Sequence, residues 1–232
     1  MRDEKISPPS HVMSIHPSPV SLHLPVWRVF CAIDLPQNVR DQLLAHIKRL
    51  REAAPHAQAS WSGAERIHLT LKFFGEIEQG QSEMLSAAAS RATHQCSPFQ
   101  IGLGGPGIFP PRGTPRVLWI GVNDLSGQLT DLQQQFENEC AIEGFPKEER
   151  AFRPHLTLAR IRKPHGSHAL AAIHKSIEFK PVEISVSELL LFRSELSSEG
   201  SKYTVISRHG LGPEGPAVNS YALNNLSEKS CR

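Results

Sequence analysis

Arg66-Ile67-His68-Leu69-Thr70-Leu71-Lys72-Phe73 is echoed 87 residues later, counted from His68 to His155, by Arg153-Pro154-His155-Leu156-Thr157-Leu158-Ala159-Arg160. In both copies His-Leu-Thr-Leu alternates polar with apolar, the period-two signature of a half-buried β-strand. Successive side chains of a strand point to opposite faces. His68 therefore shares a face with Thr70, and His155 with Thr157, while the leucines enter a core. Two such strands side by side would bring two imidazoles and two hydroxyls to one site.

The repetition extends upstream of the motifs. Arg116-Val117-Leu118-Trp119-Ile120-Gly121-Val122-Asn123 echoes Arg28-Val29-Phe30-Cys31-Ala32-Ile33-Asp34-Leu35 at an offset of 88 residues. Two separate elements agreeing within one residue point to an internal duplication. The first half reads as a strand Val26–Leu35 closed by Pro36, then a helix to Arg51 with Val39, Leu43, Leu44, Ile47 and Leu50 at helical spacing. A loop with Pro55 and Gly63 leads to the first motif strand, which ends near Gly75. A helix Gln79–Thr93, a strand Phe99–Leu103 and a Gly/Pro-rich loop Gly104–Pro115 follow. The second half reads as a strand from Arg116, then a helix Leu125–Ile142 striped by Leu125, Leu129, Leu132, Phe136 and Cys140. After it come the second motif strand, a short helix Ala169–Ser176, a strand Val182–Phe192, a polar turn Arg193–Gly200 and a closing strand Tyr203–Ser207. Strand–helix–strand–helix–strand, twice over, predicts an α+β fold of two lobes related by a pseudo-twofold, with repeats starting near 28 and 116. Its sheets, mainly antiparallel, would meet at a central cleft, with the helices outside.

Composition bounds the rest. The 232 residues, 39% hydrophobic, suffice for one large domain or two closely packed lobes, assigned to residues 25–209. Residues 1–24 mix Pro8, Pro9, Pro17 and Pro19 with serines and His11, His16 and His23, and residues 210–232 are rich in Gly, Pro, Asn and Ser. Both read as disordered tails. A formal charge of +2 tolerates an anionic substrate without announcing a long nucleic-acid track. No window approaches 18 consecutive apolar residues, and the N-terminus lacks the apolar core of a signal peptide, so no membrane span is expected. Cys31, Cys96, Cys140 and Cys231 are scattered without a Cys-x-x-Cys pair, which argues against zinc and disulfide frameworks and for reduced thiols in a cytoplasmic protein.

Histidine gives or takes a proton near neutrality because its ordinary pKa is about 6.5. Two imidazoles on opposite sides of a bound phosphodiester divide the work its cleavage requires. One takes a proton from an attacking water and the other gives one to the departing oxygen. Threonine hydroxyls on the same faces can donate to the non-bridging oxygens and stabilise developing charge. A metal site is disfavoured, because two imidazoles are too few ligands for zinc and no third Cys, Asp or Glu recurs in both copies. No cofactor is implied.

These motifs resemble the paired signatures of the 2H phosphoesterase superfamily. The nearest branch is the RNA 2′,3′-cyclic phosphodiesterases (LigT-like), historically called 2′-5′ RNA ligases. Supporting stretches are Arg28–Pro36, Leu69–Glu76, Pro115–Val122, Phe152–Arg160 and Leu189–Tyr203, so the resemblance covers residues 26–208. It implies hydrolysis of an RNA terminal 2′,3′-cyclic phosphate to a 2′-phosphate, with His68 as proton donor and His155 as acceptor. Thr70, Thr157 and Arg160 would hold the phosphate, and Phe73 would stack on the terminal base. The partners would be RNA 3′ ends or nucleotides carrying the cyclic phosphate, bound by a monomer. Strict alternation puts Lys72 on the His face and turns Phe73 and Arg160 away from it, so a bulge or strand end is needed after Leu71 and after Thr157. Arg116, Trp61 and Tyr203 read as structural, and His46, His56, His94, His165, His168, His174 and His209 as solvated. Two readings stay open beside hydrolysis. One is 2′-5′ ligation by the reverse reaction, without a Gly-x-x-x-x-Gly-Lys loop to couple ATP. The other is a non-catalytic module that binds a nucleotide or RNA end.

Overall fold

The computed structural model describes residues 25–198, 200–213 and 217–219. The expected tail 1–24 lies outside the described residues, as does most of 210–232. The chain enters as strand β1 (Val26–Ile33), whose apolar run is buried on both faces after Arg28. Pro36 opens helix α1 (Gln37–Ala53), which buries Val39, Leu43, Ile47 and Leu50 on one stripe. A short strand β2 (Ala59–Trp61) and a single 3-10 turn (Ala64–Arg66) precede the first motif strand, β3 (Leu69–Glu78). Helix α2 (Gln81–His94) presents Leu85, Ala88, Ala89 and Ala92 to the core, followed by β4 (Phe99–Phe109). The second half runs β5 (Val117–Asn123), α3 (Gln128–Ile142), β6 (His155–Ile161), α4 (Ser167–Ser176), β7 (Val182–Val186), β8 (Glu188–Ser197), β9 (Gly200–Gly210) and β10 (Ala217–Asn219).

Among the described residues these strands form two antiparallel sheets, ordered β10-β9-β8-β1-β3 and β2-β6-β5-β4-β7. The α+β, antiparallel expectation holds, but the two repeats are not separate in space. Strand β4 follows the first motif in sequence yet pairs with β5, and β8 follows the second yet pairs with β1. Each half lends strands to the other's sheet, β2 and β4 from the first half and β8, β9 and β10 from the second. The motif strands β3 and β6 meet where the sheets approach. Their leucines, Leu69, Leu71, Leu156 and Leu158, are buried in one hydrophobic core shared by both sheets and all four helices.

Several boundaries differ from the sequence reading for identifiable reasons. Strand β4 continues through the Gly/Pro stretch to Phe109. Gly105, at φ +75°, is the extra residue of a bulge between Gly104 opposite Gly121 and Pro106 opposite Ile120, and Gly107 leaves room for the Trp119 indole across the strand pair. The run Val182–Phe192 is two strands, because at Ser187 the chain leaves one sheet for the other. Residues of the expected polar turn Arg193–Gly200 continue the β8–β9 hairpin. Leu125 is 90% exposed and precedes α3, which starts at Gln128 with the Asp124 carboxylate accepting from the Leu129 and Thr130 amides. Residues 217–219, within the segment expected to be disordered, pair with β9 as β10.

Three histidines expected in solvent are buried instead: His46, His174 and His209. His174 Nε2–H donates to the Trp119 carbonyl at 3.0 Å, so its Nδ1 accepts from His46 Nε2 at 3.3 Å. His46 Nδ1 in turn accepts from Arg49, 3.3 Å away. The relay satisfies two neutral rings between α1 and α4. His209 lies between the Ser90 and Ser207 hydroxyls at 2.9 and 2.8 Å.

Candidate active site

A cleft of about 630 Å3 opens between the two sheets. The first sheet contributes Thr70, Phe73 and Tyr203, with His68 as the residue just before β3, and the second contributes His155, Thr157 and Arg160. Bulges assemble this set. Between Ala32 opposite Thr70 and Cys31 opposite Lys72, Leu71 has no partner, and between Trp119 opposite Thr157 and Leu118 opposite Ala159, Leu158 has none. Each extra residue slips the alternation by one. Leu71 and Lys72 are buried in succession, as are Leu158 and Ala159, and Phe73 and Arg160 return to the cleft. Lys72, which alternation alone would aim at the cleft, is buried. Its ammonium donates to Glu137 at 2.6 Å and to the Pro146 carbonyl at 2.8 Å.

His68 rests on an aromatic floor. Phe30 stacks on it at 4.6 Å and 24°, and Tyr203 meets it edge-on at 5.3 Å, above a small cluster of Phe30, Ala32, Leu190 and Phe192. Burial lowers its pKa to about 4, a shift that the Asp34 carboxylate opposes and the Arg40 guanidinium reinforces. The segment before His68 is fixed by Arg40, which donates to the carbonyls of Ala64 and Ile67 and pairs with Asp34.

His155 is held differently. Its Nδ1 lies 2.7 Å from the Arg153 carbonyl, which can only accept, so Nδ1 carries the proton and Nε2 is the basic nitrogen of the neutral ring. Phe109 packs edge-on at 5.0 Å, and Trp119 lies tilted at 6.2 Å. Burial lowers this pKa too; the Arg153 carbonyl opposes the shift and Arg160 adds to it. The β6 bulge is tied from β2's end, where Ser62 donates its amide to Leu158 and its hydroxyl to the Thr157 carbonyl, each at 2.8 Å.

The cleft is cationic. Arg66, Arg160 and Arg162 line it with the two histidines, and no Asp or Glu is among its described lining residues. No group of three or more His, Cys, Asp or Glu among the described residues is placed to hold a metal ion. Thus all six residues selected from the sequence face one cavity, as do Trp61 and Tyr203, for which the sequence alone suggests a structural place. Arg116 does not line it. Sequence reading gave no role to Arg162 or to the serines of β2 and the β8–β9 tip, because they belong to no repeated pattern. The arrangement places two imidazoles, two hydroxyls and cationic donors around a space suited to an anionic group.

Comparisons with known proteins agree with this geometry. The model of the 2′-5′ RNA ligase superfamily matches residues 39–197. An RNA 2′,3′-cyclic phosphodiesterase of Methanothermobacter thermautotrophicus is 33% identical over 180 residues, covering 76% of this chain and 95% of that protein. One from Thermotoga maritima is 30% identical over 179 residues, covering 77% and 92%. Among solved structures, TT0787 of Thermus thermophilus superposes with a TM-score of 0.65 at 28% identity, covering 81% of this chain and 99% of that one. Escherichia coli LigT complexed with 3′-AMP superposes at 0.64 and 26%, with coverage of 81% and 99%. The duplicated His-Leu-Thr-Leu strands, the cleft between them and these matches together make the chain a member of the 2′-5′ RNA ligase superfamily.

Proposed function

We propose that the chain hydrolyses RNA terminal 2′,3′-cyclic phosphates to 2′-phosphates. Water activated by His155 Nε2 attacks phosphorus, the bond from phosphorus to the ribose 3′ oxygen breaks, and His68 gives that oxygen its proton. The Thr70 and Thr157 hydroxyls and the Arg160 guanidinium bind the non-bridging oxygens, and the exposed Phe73 ring stacks on the terminal base. One observation carries the reading: a duplicated His/Thr pair faces a single cleft from both sides, with no carboxylate among its described lining residues. Relatives named RNA 2′,3′-cyclic phosphodiesterase and a LigT structure holding 3′-AMP support the substrate class. Among the described residues no helix is long and apolar enough to cross a membrane. Cys31, Cys96 and Cys140 are free thiols, in keeping with a reducing, cytoplasmic setting, where we propose a monomer acts on RNA ends.

The test is turnover of an oligoribonucleotide ending in a 2′,3′-cyclic phosphate, in excess EDTA, with the product's phosphate position read by NMR. Metal-independent release of a 2′-phosphate is expected. A folded protein that binds the oligomer without turnover would be a binding module, and activity lost only in EDTA would mean a metal site.

A further inference from the structure

The cleft holds more positive charge than a cyclic phosphate needs. That group is a monoanion, yet three guanidinium groups line the cavity. Arg160 and Arg162 stand two residues apart along β6 and its continuation, about 6.6 Å at strand rise, so they offer two successive cationic positions along the cleft. Arg162 is also fixed in advance. Its amide donates to the Gln58 carbonyl at 2.8 Å, and its Nε donates to the Ser60 hydroxyl on β2. A guanidinium tethered through Nε keeps its terminal nitrogens for a two-pronged contact, which suits a phosphodiester. Next to it on β2, the half-buried Trp61 lines the same cavity, on the sheet opposite Phe73. The cleft therefore carries an aromatic ring on each sheet, and a single terminal nucleotide uses one of them.

From this we infer that the β2–β6 edge is a second nucleotide subsite, in which Arg162 takes the phosphodiester 5′ to the terminal nucleotide and Trp61 stacks on the upstream base. The inference rests on the cyclic-phosphate reading and narrows its substrate class. Oligoribonucleotides are preferred over mononucleotide cyclic phosphates, through contacts remote from the reacting bond.

The experiment compares kcat/KM for 2′,3′-cyclic CMP with that for a dinucleotide ending in the same residue, for wild type and Arg162→Ala. A charge-assisted phosphate contact corresponds to roughly tenfold or more, so the wild type should favour the dinucleotide by about that factor. Arg162→Ala should bring the ratio to within about twofold, leave cyclic CMP turnover and the melting temperature unchanged, and lower the salt slope on the dinucleotide by about 0.7. Arg162→Lys should restore part of the slope. Equal wild-type rates on both substrates, or an equal loss on both in Arg162→Ala, would overturn the subsite. Hydrolysis of neither by wild type would instead overturn the cyclic-phosphate reading, and the subsite with it.

Discussion

With a pKa of about 4, His68 is neutral at pH 7, although a proton donor must be charged. The cause of the shift supplies the remedy. Burial against Phe30 and Tyr203 penalises the cation, and an anion in the cleft favours it. Binding 2′-AMP should therefore raise the His68 pKa towards or above 6.5, with proton uptake at neutral pH. NMR titration of the imidazole with and without 2′-AMP checks this, and a pKa that stays near 4 would remove His68 from the donor role. His155 needs no such correction, since its Nδ1–H is fixed by the Arg153 carbonyl and its lowered pKa keeps Nε2 unprotonated and free to accept a proton. The four residues of the duplicated motif were legible in the sequence because a period-two pattern states both their face and their pairing. Arg160 and Phe73 were reached through family resemblance, since alternation alone turns them away. Arg40, which fixes the backbone before His68 from α1, and Arg162 were not legible. Each acts through long-range contacts that leave no pattern in the chain.

The strands show why alternation fails where it does. The unpaired residue that follows the motif threonine in each strand, Leu71 or Leu158, puts two buried residues in succession and returns the next side chain to the cleft. In β3 the neighbour sent inward is Lys72, and Glu137 on α3 receives it. Composition misread β4 in a similar way. Its glycines mark a bulge and a close approach rather than a loop, and a Cβ at Gly107 would fall within the Trp119 indole. Because Trp119 also packs on His155, Gly107→Ala should act twice. Overpacking of this kind costs about 1–3 kcal/mol, enough to lower Tm by several degrees in a chain of this length, and the displaced indole should reduce turnover. Thermal melting and kcat on the alanine variant check both effects. An unchanged Tm would mean that the indole has room to move. The missed β2 strand was too short for periodicity to show, and the exchange of β4 and β8 between sheets was invisible because pairing across the duplication is a tertiary choice.

Across the whole molecule, the duplication is what builds the site, since each sheet supplies one His/Thr pair and the exchanged strands hold the sheets together. The buried histidines extend from the same packing. Burial brings His46 and His209 to about 4, below the ordinary 6.5 of the unfolded chain, so the unfolded state binds more protons between those values. Stability should be full above pH 6.5 and fall as the pH drops to about 4, each ring accounting for roughly 3 kcal/mol. Urea midpoints across that window measure the loss. His209→Gln should flatten the pH dependence, and an unflattened curve would place the acid sensitivity in other groups. The central claim is that His155 and His68 act as base and acid on one phosphate. The most direct measurement is the pH dependence of kcat/KM on an oligoribonucleotide 2′,3′-cyclic phosphate for wild type, His68→Ala and His155→Ala. The wild type should give a bell. Each variant should lose about 10²-fold or more, with His155→Ala missing the acid limb and His68→Ala the alkaline limb. Either variant retaining near-wild-type activity, or both keeping the full bell, would contradict the paired-histidine mechanism.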